Sequence, residues 1–197
     1  MDAAGLHAIH FAGCEQWRDW LSRHHNTETS IWLIFYKKHS PVLTVSYSDA
    51  IDEALCFGWV DGKVLPMDEE KYTRFFSRRK KNGTWSKVNK EKIERLIGEG
   101  RMTTAGFNTI EAAKQNGSWA TLDEVEELVL PDDLKKAFRN KPKARRFFNG
   151  LCRSDKRNLL QWLVLAKRTE TRQKRVSEIV NLSEQNMKPA ILKWTKK

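Results

Sequence analysis

Apolar and polar side chains alternate at the two-residue spacing of a strand only ahead of Arg78; from Ser86 onward the apolar residues recur every three or four positions. This change of period confines the chain to a small antiparallel sheet with helices in its N-terminal part, followed by helices alone: an α+β arrangement. The clearest strand is SIWLIFYKK, residues 30–38, β-branched and aromatic between Asn26-Thr27 and Ser40-Pro41. Residues 59–65, interrupted by Asp61-Gly62, and residues 72–78 supply two more, and Leu6 to Phe11 alternates weakly. A helix is expected from Cys14 to Asn26, with Trp17, Trp20 and Leu21 on one face. Another is expected from a Ser46 cap to about Phe57, with Tyr47, Ile51, Ala54, Leu55 and Gly58 facing the core. Further helix starts fall at Ser86, Thr103, Pro131, Pro142, Ser154 and Thr169. The expected division is an α+β domain over residues 1–120, a connector over 121–130 and a helical region over 131–197.

Nine Phe, eight Trp and three Tyr in 197 residues supply a core and exclude wholesale disorder. The longest unbroken apolar run, Ile31 to Tyr36, is far short of a membrane span. Met1-Asp2-Ala3-Ala4 has neither the basic nor the apolar region of a secretory signal, so a cytoplasmic location is expected. Cys14, Cys56 and Cys152 are widely spaced and odd in number, which fits a reducing compartment and no disulfide framework. The net charge of +11 is unevenly placed. Residues 1–134 hold seventeen Lys and Arg against twenty-one Asp and Glu, whereas residues 135–197 hold nineteen against four. A surface of that kind attracts phosphates, acidic proteins or anionic lipid heads, or is simply a solvated face.

The segment Ser46 to Gly62, SYSDAIDEALCFGWVDG, resembles the central motif of the YdeI/OmpD-associated (bacteriocin-protection) family. The resemblance extends upstream through Trp17, Trp20, Ile31-Trp32 and Lys37-Lys38. Downstream it takes in Arg74-Phe75, Arg78-Arg79, Trp85 to Asn89, Gly100 to Thr103 and Gly106, and then Leu130 to Leu134, Trp162 and Glu170-Thr171-Arg172. Where the family has a Thr-Pro pair this chain has Phe76-Ser77, a second Pro is replaced by Lys80, and one residue is added near Asn82-Gly83. The resemblance implies protection against bacteriocins or cationic antimicrobial peptides and brings with it no reaction and no cofactor.

Pairing of the three strands is expected to bring Lys37, Lys38, Trp59, Asp61, Gly62, Arg74, Arg78, Arg79, Trp85, Ser86 and Asn89 to one end of the sheet. Indole walls with several cations suit a small anionic, partly flat ligand, such as a nucleotide, because guanidinium forks bind phosphate or carboxylate bidentately. A Ser86 cap adds a helix N-terminus to that site. The bland alternative makes Trp59 and Trp85 core residues and Asp61-Gly62 a turn. Asp61 is also the one candidate general base for an enzymatic reading, though no second acid or His accompanies it in sequence.

Other signals are weaker. Helical spacing puts Cys56 beside Asp49 and Asp52, which raises a thiol pKa and points to an inert packed group. His7, His10, His24, His25 and His39 make no metal signature. Gly98-Glu-Gly100-Arg-Met-Thr103 ends in Thr and follows a helix, so it is no dinucleotide loop. The C-terminal cations, among them Arg145, Arg146, Arg153, Lys156, Arg157, Arg172 and Arg175, suit nucleic acid or an acidic partner. Phe147-Phe148 beside them fits either a core or a membrane surface.

Overall fold

Burial along residues 30–36 alternates strictly, with Ile31, Leu33 and Phe35 buried and Ser30, Trp32, Ile34 and Tyr36 half-buried between them. One face of the sheet is therefore covered and the other is not. The computed structural model describes residues 8–195. Leu6 and His7 lie outside them. The chain divides into two compact units between Trp119 and Ala120.

The first unit holds strands β1 (Ala8–His10), β2 (Ser30–Tyr36), β3 (Trp59–Pro66) and β4 (Lys71–Arg78), with helices α1 (Cys14–His24), α2 (Tyr47–Cys56), α3 (Lys87–Gly98) and α4 (Thr104–Gln115). The sheet order is β1-β2-β4-β3. Strands β2, β4 and β3 are antiparallel neighbours, but β1 is parallel to β2. The sheet is thus mixed rather than purely antiparallel, because α1 forms a crossover that returns the chain to run in the same direction. The interruption at Asp61-Gly62 is a shift of register on β3 between Asp61 and Val64. The expected strand 30–38 ends at Tyr36, leaving Lys37 and Lys38 in the turn beyond it.

Helices α2, α3 and α4 begin where capping chemistry places them. The hydroxyls of Ser46, Ser86 and Thr103 accept from the backbone N–H of Asp49, Asn89 and Gly106. The core beneath the sheet is aromatic: Trp17, Trp59, Phe76, Phe35 and Trp85 are all buried. Trp17 donates to Ala50 O at 3.1 Å and Trp59 to His25 O at 3.3 Å, whereas the buried Trp85 Nε1 has no hydrogen-bond partner among the described residues.

Along α2 the expected core stripe is rearranged. Tyr47 is 38% exposed, while Asp52 and Glu53 are 3% and 2% exposed. Buried carboxylates persist because cations reach them. Asp52 accepts from Lys92 Nζ at 2.6 Å and from Arg95. Glu53 accepts from Arg18 and Arg101, both at 2.6 Å, and from Cys14 Sγ at 3.2 Å. The acidic pair in the central motif is therefore the clamp that holds α1, α3 and the 99–103 loop to α2.

The second unit is helical, with α5 (Asp123–Glu126), α6 (Asp132–Phe138), α7 (Pro142–Gly150), α8 (Arg153–Val164), α9 (Thr169–Glu184) and a 3-10 turn at Ala190–Thr195. Its core contains Leu134, Phe138, Phe148, Leu159, Leu160, Leu163 and Ile179. Phe148 is buried and Phe147 packs at its edge, which is the core reading of that pair.

Candidate functional site

The glycine at the end of α2 sets the geometry of the site. Gly58 turns the chain at φ +73°, and a side chain there would lie 2.6 Å from Thr109 Cγ2. One turn earlier, Thr103 Oγ1 donates to Cys56 O at 2.6 Å, pinning the start of α4 to the end of α2. A cleft of about 380 Å³ opens between these two ends and the last residues of β4. Phe57, Gly58 and Trp59 form one wall, Arg78 and Arg79 another, and Thr104, Ala105 and Asn108 of α4 a third. That volume falls in the range of small-molecule sites.

The two arginines differ in environment. Arg78 is exposed, and its Nε and Nη2 donate to the carbonyls of Glu28 and Asn26 at 2.5 and 2.6 Å. Arg79 lies under the surface with its guanidinium 3.5 Å from the centroid of the Trp85 ring. Its Nη1 donates to Thr84 O at 3.0 Å, whereas Nε and Nη2 are buried without a partner. Burial pushes this guanidinium down to about 10, with the field of Asp61 opposing the shift. No carboxylate forms an ion pair with it among the described residues. The cleft wall therefore carries a positive charge met by the Trp85 ring and the field of Asp61 and by no direct ion pair.

The structure sorts the expected residues into separate places. Arg78 and Arg79 line the cleft, but the indole walls expected of Trp59 and Trp85 are not there: both rings are buried in the core, Trp59 behind the cleft and Trp85 under Arg79. Ser86 and Asn89 cap α3 and are not on its wall; the helix N-terminus that faces it belongs to α4. Lys37 donates to Asp68 O at the opposite end of the sheet, beside Lys71. With Lys38 it lies about 23 Å from Arg78 along the seven-residue rise of β4.

Asp61 belongs to a third cluster. Its Oδ2 accepts from Tyr47 Oη at 2.8 Å and from Arg74 at 2.7 Å, and the Arg74 guanidinium covers the Tyr47 ring at 3.9 Å. Burial and Asp61 push the Tyr47 phenol up to about 12. A carboxylate already accepting a guanidinium and a phenol is a poor general base, and this one is not on the cleft wall. Gly62 lies against Phe75, where a Cβ would sit 3.3 Å from the ring. Cys56 is buried, and burial together with Glu53 raises its thiol, so it is the packed group expected.

In the second unit much of the basic cluster is spent internally. Arg157 binds Glu126 at 2.8 Å, and Arg172 grips Asp133 through Nε at 2.5 Å and Nη2 at 3.0 Å. Arg153 donates to Glu126 O, and Arg175 donates to Trp162 O while lying over the Trp162 ring. Arg145 and Arg146 are exposed on α7, and Lys156 is half-buried on α8. Sequence reasoning missed His25, Asn26, Phe57 and Gly58, and on α4 Thr104, Ala105, Asn108 and Thr109, which carry no motif of their own and reach the cleft only because α4 crosses the end of α2.

Residues 9–109 match a family model described as a domain of unknown function, DUF8412. The chain belongs to that family. Residues 127–186 match a second model, described as bacteriocin-protection, YdeI or OmpD-associated. The motif of residues 46–62 and the cleft fall in the first match, and the basic helices fall in the second. No curated protein and no solved structure matches the chain. Among the described residues no helix is long and apolar enough to cross a membrane.

Proposed function

We propose that this chain is a stress-tolerance protein of the bacteriocin-protection type, acting in the cytoplasm, whose N-terminal unit holds a small anionic ligand in the cleft at Arg78 and Arg79. The observation that carries the reading is Arg79. A buried guanidinium with two unpartnered N–H groups is costly by itself, and an anion in the adjoining cleft compensates it in a medium of low dielectric. Arg78 adds a second cation, and the first turn of α4 adds the favourable end of a helix dipole. The net charge of +11 argues against direct capture of cationic peptides, which it repels, and for an anionic partner as the effector. The three free cysteines suit a reducing compartment.

Thermal-shift titration with inorganic phosphate and with nucleoside mono- and diphosphates tests the reading. An occupied site raises the melting temperature, by about 2.7 kcal/mol of stability at a hundredfold excess over Kd. Arg79→Gln is expected to abolish the rise and Arg78→Ala to weaken it. No response to any of these anions, or an equal response in Arg79→Gln, removes the ligand from this cleft.

A further inference from the structure

Helices α1 and α2 pack under one face of the sheet. The other face carries an aromatic stripe on its two central strands, β2 and β4. Trp32 and Phe75 are register partners with ring centroids 5.1 Å apart, and both are half-buried. Tyr36 continues the stripe and meets His10 of β1 edge-on at 5.1 Å. Gly62 on β3 leaves Phe75 without a covering side chain. Flat rings on a half-open sheet offer surfaces for stacking.

The strands that carry this stripe are rich in cations. The β2, β3 and β4 segments, taken as residues 30–38, 59–66 and 71–81, contain nine Lys or Arg and one acidic residue, Asp61. Asp61 pairs in register with buried Phe76 and bonds Arg74, so it belongs to the covered face. Every outward register position of β2 and β4 is neutral or is Lys71. Lys37, Lys38 and Lys71 stand at one end of the stripe, and exposed Lys80 and Lys81 follow its other end. Asp68, Glu69 and Glu70 of the β3–β4 turn stand at the Lys37 end, where Asp68 pairs with Lys71 at 3.7 Å, and exposed Glu28 borders Trp32 and Phe75.

We propose that this face binds single-stranded nucleic acid, with unpaired bases stacked on Trp32, Phe75 and Tyr36 and the phosphate backbone passing between the two groups of lysines. Stacking platforms bracketed by cations bind single strands with little sequence preference, because every base presents a π-face. Duplexes keep their bases stacked on each other and gain only the ionic contacts. This surface is separate from the cleft at Arg79 and does not depend on its ligand.

The test is fluorescence anisotropy of the full chain with a labelled single-stranded RNA of about 12 nucleotides and with its duplex. The single strand is expected to bind more tightly than the duplex, and Trp32→Ala or Phe75→Ala to weaken it by about tenfold or more. Trp32→Phe keeps a ring and restores most of the affinity. Arg145→Ala with Arg146→Ala in the other unit lowers single-strand and duplex binding alike, or neither. Ultraviolet cross-linking of the unaltered protein covers the case in which a variant fails to fold, and is expected to label peptides containing Trp32 or Phe75. Absence of binding at low salt, equal affinity for duplex, aromatic variants that fold and bind as the parent does, or cross-links confined to residues 142–157 each overturn the proposal. So does a dimer in sedimentation that Trp32→Ala dissociates, which makes the face an interface between copies.

Discussion

A Cβ placed on Gly106 would lie 2.3 Å from the carbonyl oxygen of Cys56, closer than any real contact. The first turn of α4 therefore rests directly on the last turn of α2, and the cleft exists because of this crossing. Gly106→Ala forces the two helix ends apart and is expected to cost about 3 kcal/mol. Gly98→Ala, at the open end of α3 with nothing within 4 Å, serves as the matched control and leaves stability within about 1 kcal/mol. Urea midpoints of the two variants check this; equal midpoints contradict the close crossing.

Arg79 makes the opposite prediction for stability. Arg79→Met removes a charge that has no direct ion pair while keeping a linear side chain against Trp85. Replacing a buried charge by an apolar group of similar shape is neutral or stabilising, by about 1 kcal/mol or more. In buffer free of multivalent anions the variant should therefore melt no lower than the parent. In phosphate the order should reverse, since only the parent gains from the anion. A variant that is less stable in both buffers shows that stacking on Trp85, rather than charge, is what Arg79 contributes.

The elements were legible because they rest on local chemistry. Ser46, Ser86 and Thr103 each cap a helix by bonding three residues ahead, and the alternation of Ile31, Leu33 and Phe35 is a property of one strand. The joint placement of Trp59, Arg78 and Arg79 was also readable, since they lie at the paired ends of β3 and β4. Lys37 and Lys38 were misplaced for want of register: β2 runs antiparallel to β4, so its end meets Lys71 and not Arg78. Asp52 and Glu53 look like solvent-facing residues until cations from far along the chain arrive. Arg18 lies 35 positions from Glu53 and Arg101 lies 48, distances over which sequence spacing carries no signal. The role of α4 in the cleft was hidden for the same reason.

Alkaline stability follows from the Glu53 clamp. Burial and Glu53 push the Cys14 thiol up from 9.0 to about 12. Above pH 9 the unfolded chain loses this proton and the folded protein keeps it, so stability falls as pH rises from 9 toward 12. Tyr47, raised from 10.0 to about 12, adds to the fall above pH 10. Arg79, lowered from 12.5 to about 10, opposes it there, because deprotonation relieves its burial cost. The interval from pH 9 to 10 therefore isolates the two raised thiols, Cys14 and Cys56. Urea midpoints should decline across it in the parent and decline less in Cys14→Ser, which keeps the donor to Glu53 without an ionisable thiol and leaves Cys56 as the remaining source.

Removing the acid itself is a harsher change. Glu53→Ala leaves Arg18 and Arg101 without their buried acceptor, and breaking such a pair costs about 3 kcal/mol. Both arginines are about one-third exposed, so water recovers part of their solvation and the loss stays at the low end for buried pairs. Glu53→Gln keeps one acceptor oxygen and should lose less. Amide exchange in α1 separates the two, since Arg18 and Cys14 both tie that helix to Glu53 of α2. Unchanged protection of residues 14–24 in Glu53→Ala argues that apolar packing of Trp17 and Leu21 holds α1 by itself.

In the helical unit the matching case is Arg172 and Asp133. The bidentate fork of Arg172 holds the Asp133 carboxyl below its usual value of 3.8. A depressed carboxylate contributes stability above that value and loses it as pH falls through the lower folded value, so this contact weakens only in strong acid. Asp133 is 39% exposed, and solvent screening keeps the contribution to about 1 kcal/mol or less. Asp133→Asn should therefore speed amide exchange in α6 and α9 modestly at neutral pH, with the difference from the parent shrinking as pH falls below 3.8. Arg172→Lys retains the charge but not the fork. It should behave like Asp133→Asn if geometry carries the contact and like the parent if charge alone does.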